Sequence, residues 1–202
     1  MNKKFRFLLS VLVAALLSAC VTVPEVNQSF RRIDRVWALE YQKMEMSVRV
    51  RVVDEEFLSV VKAVRDTFLE LGMPINTLNL QSGEISAICD APTPLTSEEW
   101  LAVVAAEKER VREVGGWYMS LSEKPAGYVL TVNAKVKRLK QGSVVVLDYS
   151  LSHPEYSAMG FEPAKYAPPA AVRIGSFKFW TSLEKRLTGK QIRIQRPTDI
   201  DA

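Results

Sequence analysis

Three side chains in the body of the sequence have the chemistry to act on another molecule: the Cys89 thiol, the His153 imidazole and the Glu107 carboxylate. Cys89 shares strand parity with Ile85 and Ala87, which turns it inward, where a thiol packs as a small apolar group and stays inert. His153 is the single histidine. A zinc site draws three or four ligands mainly from Cys and His, so none is expected. His153 stands in a His-Pro-Glu turn, with nothing in the spacing to pair it with Cys89 or a serine as a general base. Glu107 falls on the stripe of Trp100, Val104 and Val111, which makes it a candidate for a partly buried carboxylate. A glycosidase would add a second carboxylate about 5 to 10 Å away, and the spacing names none. Glycine-rich phosphate loops and dinucleotide fingerprints are absent from the sequence, and no cofactor is expected.

A fourth reactive group stands near the start. Residues 1–6 carry Lys3, Lys4 and Arg6, residues 7–17 are apolar, and Ser18 and Ala19 precede Cys20, the three-part layout of an export signal. The apolar run is short of the roughly 20 residues that span a bilayer. Leu17-Ser18-Ala19-Cys20 resembles the lipobox of bacterial lipoproteins. That resemblance implies a diacylglycerol on the Cys20 sulfur, cleavage between Ala19 and Cys20, and acylation of the new amino group. Two or three acyl chains, at about 0.8 kcal/mol per buried CH₂, hold a soluble body on a membrane where one chain binds marginally. In enterobacteria-like cells aspartate after the cysteine goes with inner-membrane retention. Val21 stands there instead, so the resemblance implies the periplasmic face of the outer membrane in a two-membrane host, and a cell-membrane lipoprotein otherwise. With Cys20 lipidated, Cys89 has no cysteine left for an intrachain disulfide.

Removing the first 19 of 202 residues leaves 183, the size of one ordinary domain. Hydrophobic residues make up 48% and charged residues 25%, which excludes a disordered or polytopic chain. The net charge of +4 falls to about +1 once Lys3, Lys4 and Arg6 leave, so the pI of 9.1 is no argument for nucleic acid.

The elements that must position these groups follow from periodicity. Residues 20–44 divide into a tether, 21–29, and a lead-in segment of ambiguous period. A single α+β domain is expected over 45–190, and a tail over 191–202. Met46, Val48, Val50 and Val52 alternate with Ser47, Arg49 and Arg51, predicting a strand with one apolar face for the core. Asp54 is the expected N-cap of a helix over 54–71, stopped by Gly72 and Pro74. Strands over 75–80 and 84–89 flank Gln81-Ser82-Gly83 as a hairpin. Thr96 or Ser97 caps a second helix ending at Gly115-Gly116. Trp117, Met119 and Leu121 alternate as a strand, and strands over 128–136 and 145–151 complete an antiparallel meander. Residues 153–172 read as a long irregular loop, 174–187 as a closing helix.

This order gives a mainly antiparallel sheet with helices packed on one face, of helix-grip or two-layer sandwich type. Val60-Val61-Lys62-Ala63, Phe68-Leu69-Glu70-Leu71-Gly72, Ile75 and Gly83-Glu84-Ile85-Ser86-Ala87 resemble a pattern in small periplasmic lipoprotein domains, among them those of the C lipoprotein of the β-barrel assembly machinery. The resemblance covers residues 48–87, implies a helix-grip fold and carries no catalytic residue. Arg49, Arg51, Lys135, Lys137, Arg138 and Lys140 form a basic patch if their strands are neighbours; a solvated sheet face is the plainer reading. The aromatics Tyr156, Phe161, Tyr166, Phe177, Phe179 and Trp180 either pack the long loop onto the domain or form a partner surface. The expected function is a non-enzymatic assembly or interaction module with an envelope protein partner. The alternatives are a carrier or receptor for lipid, glycan or peptide with the aromatic loop as lid, and an envelope hydrolase using Glu107 or His153.

Overall fold

The computed structural model describes residues 21–44, 48–162, 165–187 and 192–193. The expected export signal, Ala19, Cys20 and most of the tail lie outside the described residues. In chain order the elements are α1 (Val23–Met44), β1 (Val50–Val53), α2 (Phe57–Glu70), β2 (Ile75–Asn79), β3 (Glu84–Asp90), α3 (Ser97–Gly115), β4 (Val129–Arg138), β5 (Ser143–Ser152), α4 (Pro154–Ala158), α5 (Pro169–Arg186) and β6 (Ile192–Arg193). The strands form one antiparallel sheet in the order β2-β3-β4-β5-β1-β6, the last being two residues long. Helices α2 and α5 pack on one face of it, so the fold is α+β as the pattern of elements implies. Their apolar stripes, Val60, Val61, Val64 and Phe68 from α2 and Phe179, Trp180 and Leu183 from α5, meet Ile85, Ala87, Val132, Ala134, Val145 and Leu147 of the sheet.

The largest departure from expectation is α1. Residues 21–29 were to be a tether and 30–43 a lead-in, yet Val23–Met44 is one helix of 22 residues. Thr22 starts it: its backbone N–H and hydroxyl both donate to the Glu25 carboxylate, at 2.7 and 2.9 Å, and Val26 N–H reaches Thr22 O. Pro24 is tolerated because the first-turn N–H groups have no intrahelical partner. Ile33, Trp37, Tyr41 and Met44 recur at helical spacing and are buried. Ile33 and Trp37 pack on Val111 of α3, which runs antiparallel to α1 with Ser29 beside Gly115, and Tyr41 and Met44 reach the sheet core.

Smaller departures have physical reasons. Asp54 is not the N-cap of α2; Glu56 holds that position without a side-chain bond. Residues 117–121 make no strand: Gly116 takes φ +106°, Met119 N–H bonds Gly116 O, and only β4 and β5 of the expected meander pair. The stretch 153–172 is not wholly irregular, since it contains α4 and the first turn of α5. The hairpin β2–β3 and the second helix form as expected. Thr96 and Glu99 close a reciprocal capping box.

On β1 the alternation holds but the faces are reversed. Arg51 lies opposite Val145 and, with Val53, faces the helices; Val50 and Val52 lie opposite Val146 and Val144 on the far face. The arginines are tolerated inside because their heads lie on rings: Arg51 over Trp180 at 5.2 Å and Arg49 over Tyr41 at 5.6 Å. Met46 lies outside the described residues.

Candidate functional site

Glu107 is buried, at 4% exposure, and its Oε1 accepts the Ala170 N–H at 3.1 Å. Ala170 is in the first turn of α5, where Pro168 makes no side-chain cap bond. Glu107 therefore supplies from α3 the acceptor that the start of α5 lacks. Its Oε2 has no partner among the described residues. Cys89 is buried on the inner face of β3 and its thiol donates to Thr93 O at 3.3 Å. Burial, with a smaller contribution from Asp90, pushes the thiol up to about 11, far from the thiolate a nucleophile requires.

His153 caps α4: its Nδ1 accepts the Tyr156 N–H at 3.3 Å. The ring stacks on Tyr156 at 3.7 Å with 9° between planes and meets Tyr128 edge-on at 4.6 Å. Gly127 lies over its other edge, where a Cβ would come within 2.8 Å of Nε2. The imidazole is thus 4% exposed and walled in on every side by groups that hold it in place. Glu107, Cys89 and His153 are not brought together. Among the described residues no three His, Cys, Asp or Glu side chains converge to hold a metal ion.

The basic residues separate as well. Arg49 and Arg51 turn toward the helices, Arg49 also donating to Leu147 O and pairing with Asp148, while Lys135 and Lys137 sit opposite Val146 and Val144 on the far face. Lys135 pairs across strands with Glu84 at 2.7 Å, and Arg138 lies over the Phe57 ring. One continuous patch does not form, because β5 lies between β1 and β4 and the two pairs of basic residues take opposite faces of the sheet. On the far face Glu84, Asn133, Lys135 and Asp148 are exposed over β3 to β5, while Val50, Val52 and Val144 are buried toward β1.

The aromatics of 153–172 divide: Tyr156 stacks on His153 yet is 36% exposed. Tyr166 is half-buried, edge-on to Tyr41 at 5.1 Å, and Phe161 is half-buried and tilted toward Tyr156 at 6.0 Å. Phe179 and Trp180 are core; Phe177 is exposed. A cavity of about 30 Å³ lies between the Pro92–Pro94 loop, the end of β5 and the start of α5, lined by Leu95, Leu130, Tyr149 and Val172 among others. That is room for about one water; a larger open cleft of about 550 Å³ lies beside α3, lined by Val104, Lys108, Arg112 and residues 120–124.

The polar residues buried in α1 gather the remaining features at one end of the molecule. Asn27 Nδ2 donates to Gly160 O at 3.1 Å, and its Oδ1 accepts the Glu162 N–H at 2.8 Å. Ser29 bonds both Gly115 O and the Tyr118 hydroxyl, the latter at 2.8 Å. One turn on, Asp34 accepts the Lys165 and Tyr166 N–H groups at 2.8 and 3.2 Å; burial raises its carboxyl and these bonds oppose the rise. The α3 terminus and the loop after α4 are therefore tied to the first three turns of α1. Sequence reasoning missed Asn27, Ser29 and Asp34, and the available signal was their place on the inward stripe with Phe30, Ile33 and Trp37. No known family model matches this chain, and no curated protein matches it.

Proposed function

We propose that the chain is a bacterial envelope lipoprotein, held through acyl chains on Cys20 at the periplasmic face of the outer membrane, that works there without catalysis as an assembly or interaction module for a protein partner. The carrying observation is that α1 begins three residues after Cys20 and is built into the domain. Acyl chains at Cys20 would then hold the whole folded body against the bilayer, with no long linker between. No helix among the described residues is long and apolar enough to cross a membrane. The non-enzymatic half is supported by how the candidate groups are used: Glu107 caps α5, His153 caps α4 and Cys89 packs in the sheet.

Intact-mass measurement and membrane fractionation of native protein and Cys20→Ala test the reading, followed by crosslinking of the wild type in the same cells. The expected outcome is acyl mass on Cys20, outer-membrane flotation that Cys20→Ala loses, and one crosslinked protein complex. Unmodified, freely soluble native protein would overturn it.

A further inference from the structure

Exposed apolar side chains collect around the N-terminal end of α1. Trp117 is 80% exposed and Met159 57%, and Val21 and Val23 are exposed beside the helix start. They are held there by the bonds already described. The Tyr118 hydroxyl reaches Glu25 O at 3.5 Å as well as Ser29, and the Trp117 ring stands edge-on to Tyr118 at 5.8 Å. Met159 adjoins Gly160, which Asn27 grips from the same turn of α1. Covalent geometry bounds the distance to the anchor. Cys20 and Thr22, the cap of α1, are two residues apart, so their Cα atoms are separated by at most about 7 Å.

We infer that this end of the molecule, carrying Val21, Val23, Trp117 and Met159, rests in the headgroup region of the same bilayer that holds the acyl chains of Cys20. The inference deepens the lipoprotein reading and rests on it. A tryptophan presenting an apolar body and one N–H donor suits the boundary between water and hydrocarbon. The alternative for an 80% exposed indole is water, and the rest of the chain shows the usual treatment: Trp37, Trp100 and Trp180 are all buried. Charge around the site is mixed, with Arg31 paired to Glu162 at 3.3 Å and Glu25 engaged by Thr22. The contact is therefore apolar in origin and persists at high salt, where attraction of basic residues to anionic lipid would be screened. A surface so placed fixes the orientation of the domain on the bilayer.

The test uses full-length lipidated protein extracted from its host and reconstituted in phosphatidylethanolamine and phosphatidylglycerol vesicles with bromine on the acyl chains, each preparation checked by intact mass. Wild-type emission is expected to be quenched by the bromines, and Trp117→Phe to lose that lipid-dependent component at low and high salt alike. Because Trp117 is exposed, the substitution leaves the core untouched. Met159→Trp gives a second reading, its added indole being quenched in the same vesicles. Acyl mass on Cys20 with equal quenching in wild type and Trp117→Phe, and no quenching of the added indole, overturns the contact and leaves the lipoprotein reading standing. Absence of acyl mass overturns both.

Discussion

At Cys89 the sulfur is enclosed by the β3–β4 core and bonded to Thr93 O, and the raised thiol leaves almost no thiolate near neutral pH. Labelling by a thiol reagent at pH 8 is therefore expected to be slow in folded protein and fast in denaturant; rapid labelling of folded protein would refute the packing assignment. Glu99 behaves oppositely. Lys178 of α5, then the Thr96 N–H, hold its carboxyl below the usual carboxylate value. A lowered folded value means the stability it lends is complete above the unfolded value and is lost as pH falls through the folded one. Denaturation midpoints of wild type and Glu99→Gln should differ at pH 7 and converge below about pH 4, near and under the ordinary glutamate value. The place of Glu107 on the inner stripe of its helix and a cap at Thr96 or Ser97 were legible, since each depends on neighbours within one helix; how deeply Glu107 is buried was not. The Ala170 partner of Glu107 was not, because it lies 63 residues away and reflects how α3 meets α5.

Helix α1 is the element whose sequence misleads most. Arg31, Arg32 and Arg35 crowd its outward side, and the inward positions Asn27, Ser29 and Asp34 are polar, so the apolar stripe looks broken until their backbone partners are known. Residues 117–121 mislead in the reverse sense, alternating like a strand while Trp117 faces out and Met119 faces in from a turn. Period alone does not separate these cases. On β1 the period was legible and the facing was not, since only the rings of Tyr41 and Trp180 decide that two arginine stems belong inside. Trp37 tests whether α1 is part of the domain. It is 2% exposed between α1 and α3, and large-to-small changes at such aromatic sites cost about 3 to 5 kcal/mol. Trp37→Ala is expected to lower unfolding free energy by that order in urea titrations, whereas a helix that served only as a tether would give no change.

Over the whole molecule, the α+β class and the β2–β3 and β4–β5 pairs were legible because each pair is joined by a short turn, whereas the β3–β4 pairing across the α3 excursion was not. The placement of β1 between β5 and β6 was not, being a long-range closure that brings opposite ends of the chain to one edge. The N-terminal end of α1 is the other junction. Helix α1, about 33 Å long at 1.5 Å per residue, lies along α3 with its far end in the sheet core. If Cys20 carries the proposed anchor, a pull there enters the domain through α1. The Asn27 and Ser29 bonds and the packing of Ile33, Trp37, Tyr41 and Met44 then resist together in shear, and the sheet is never unzipped strand by strand. Built into the core in this way, α1 would make a proposed attachment at Cys20 a mechanical fixing for the whole body rather than a loose leash.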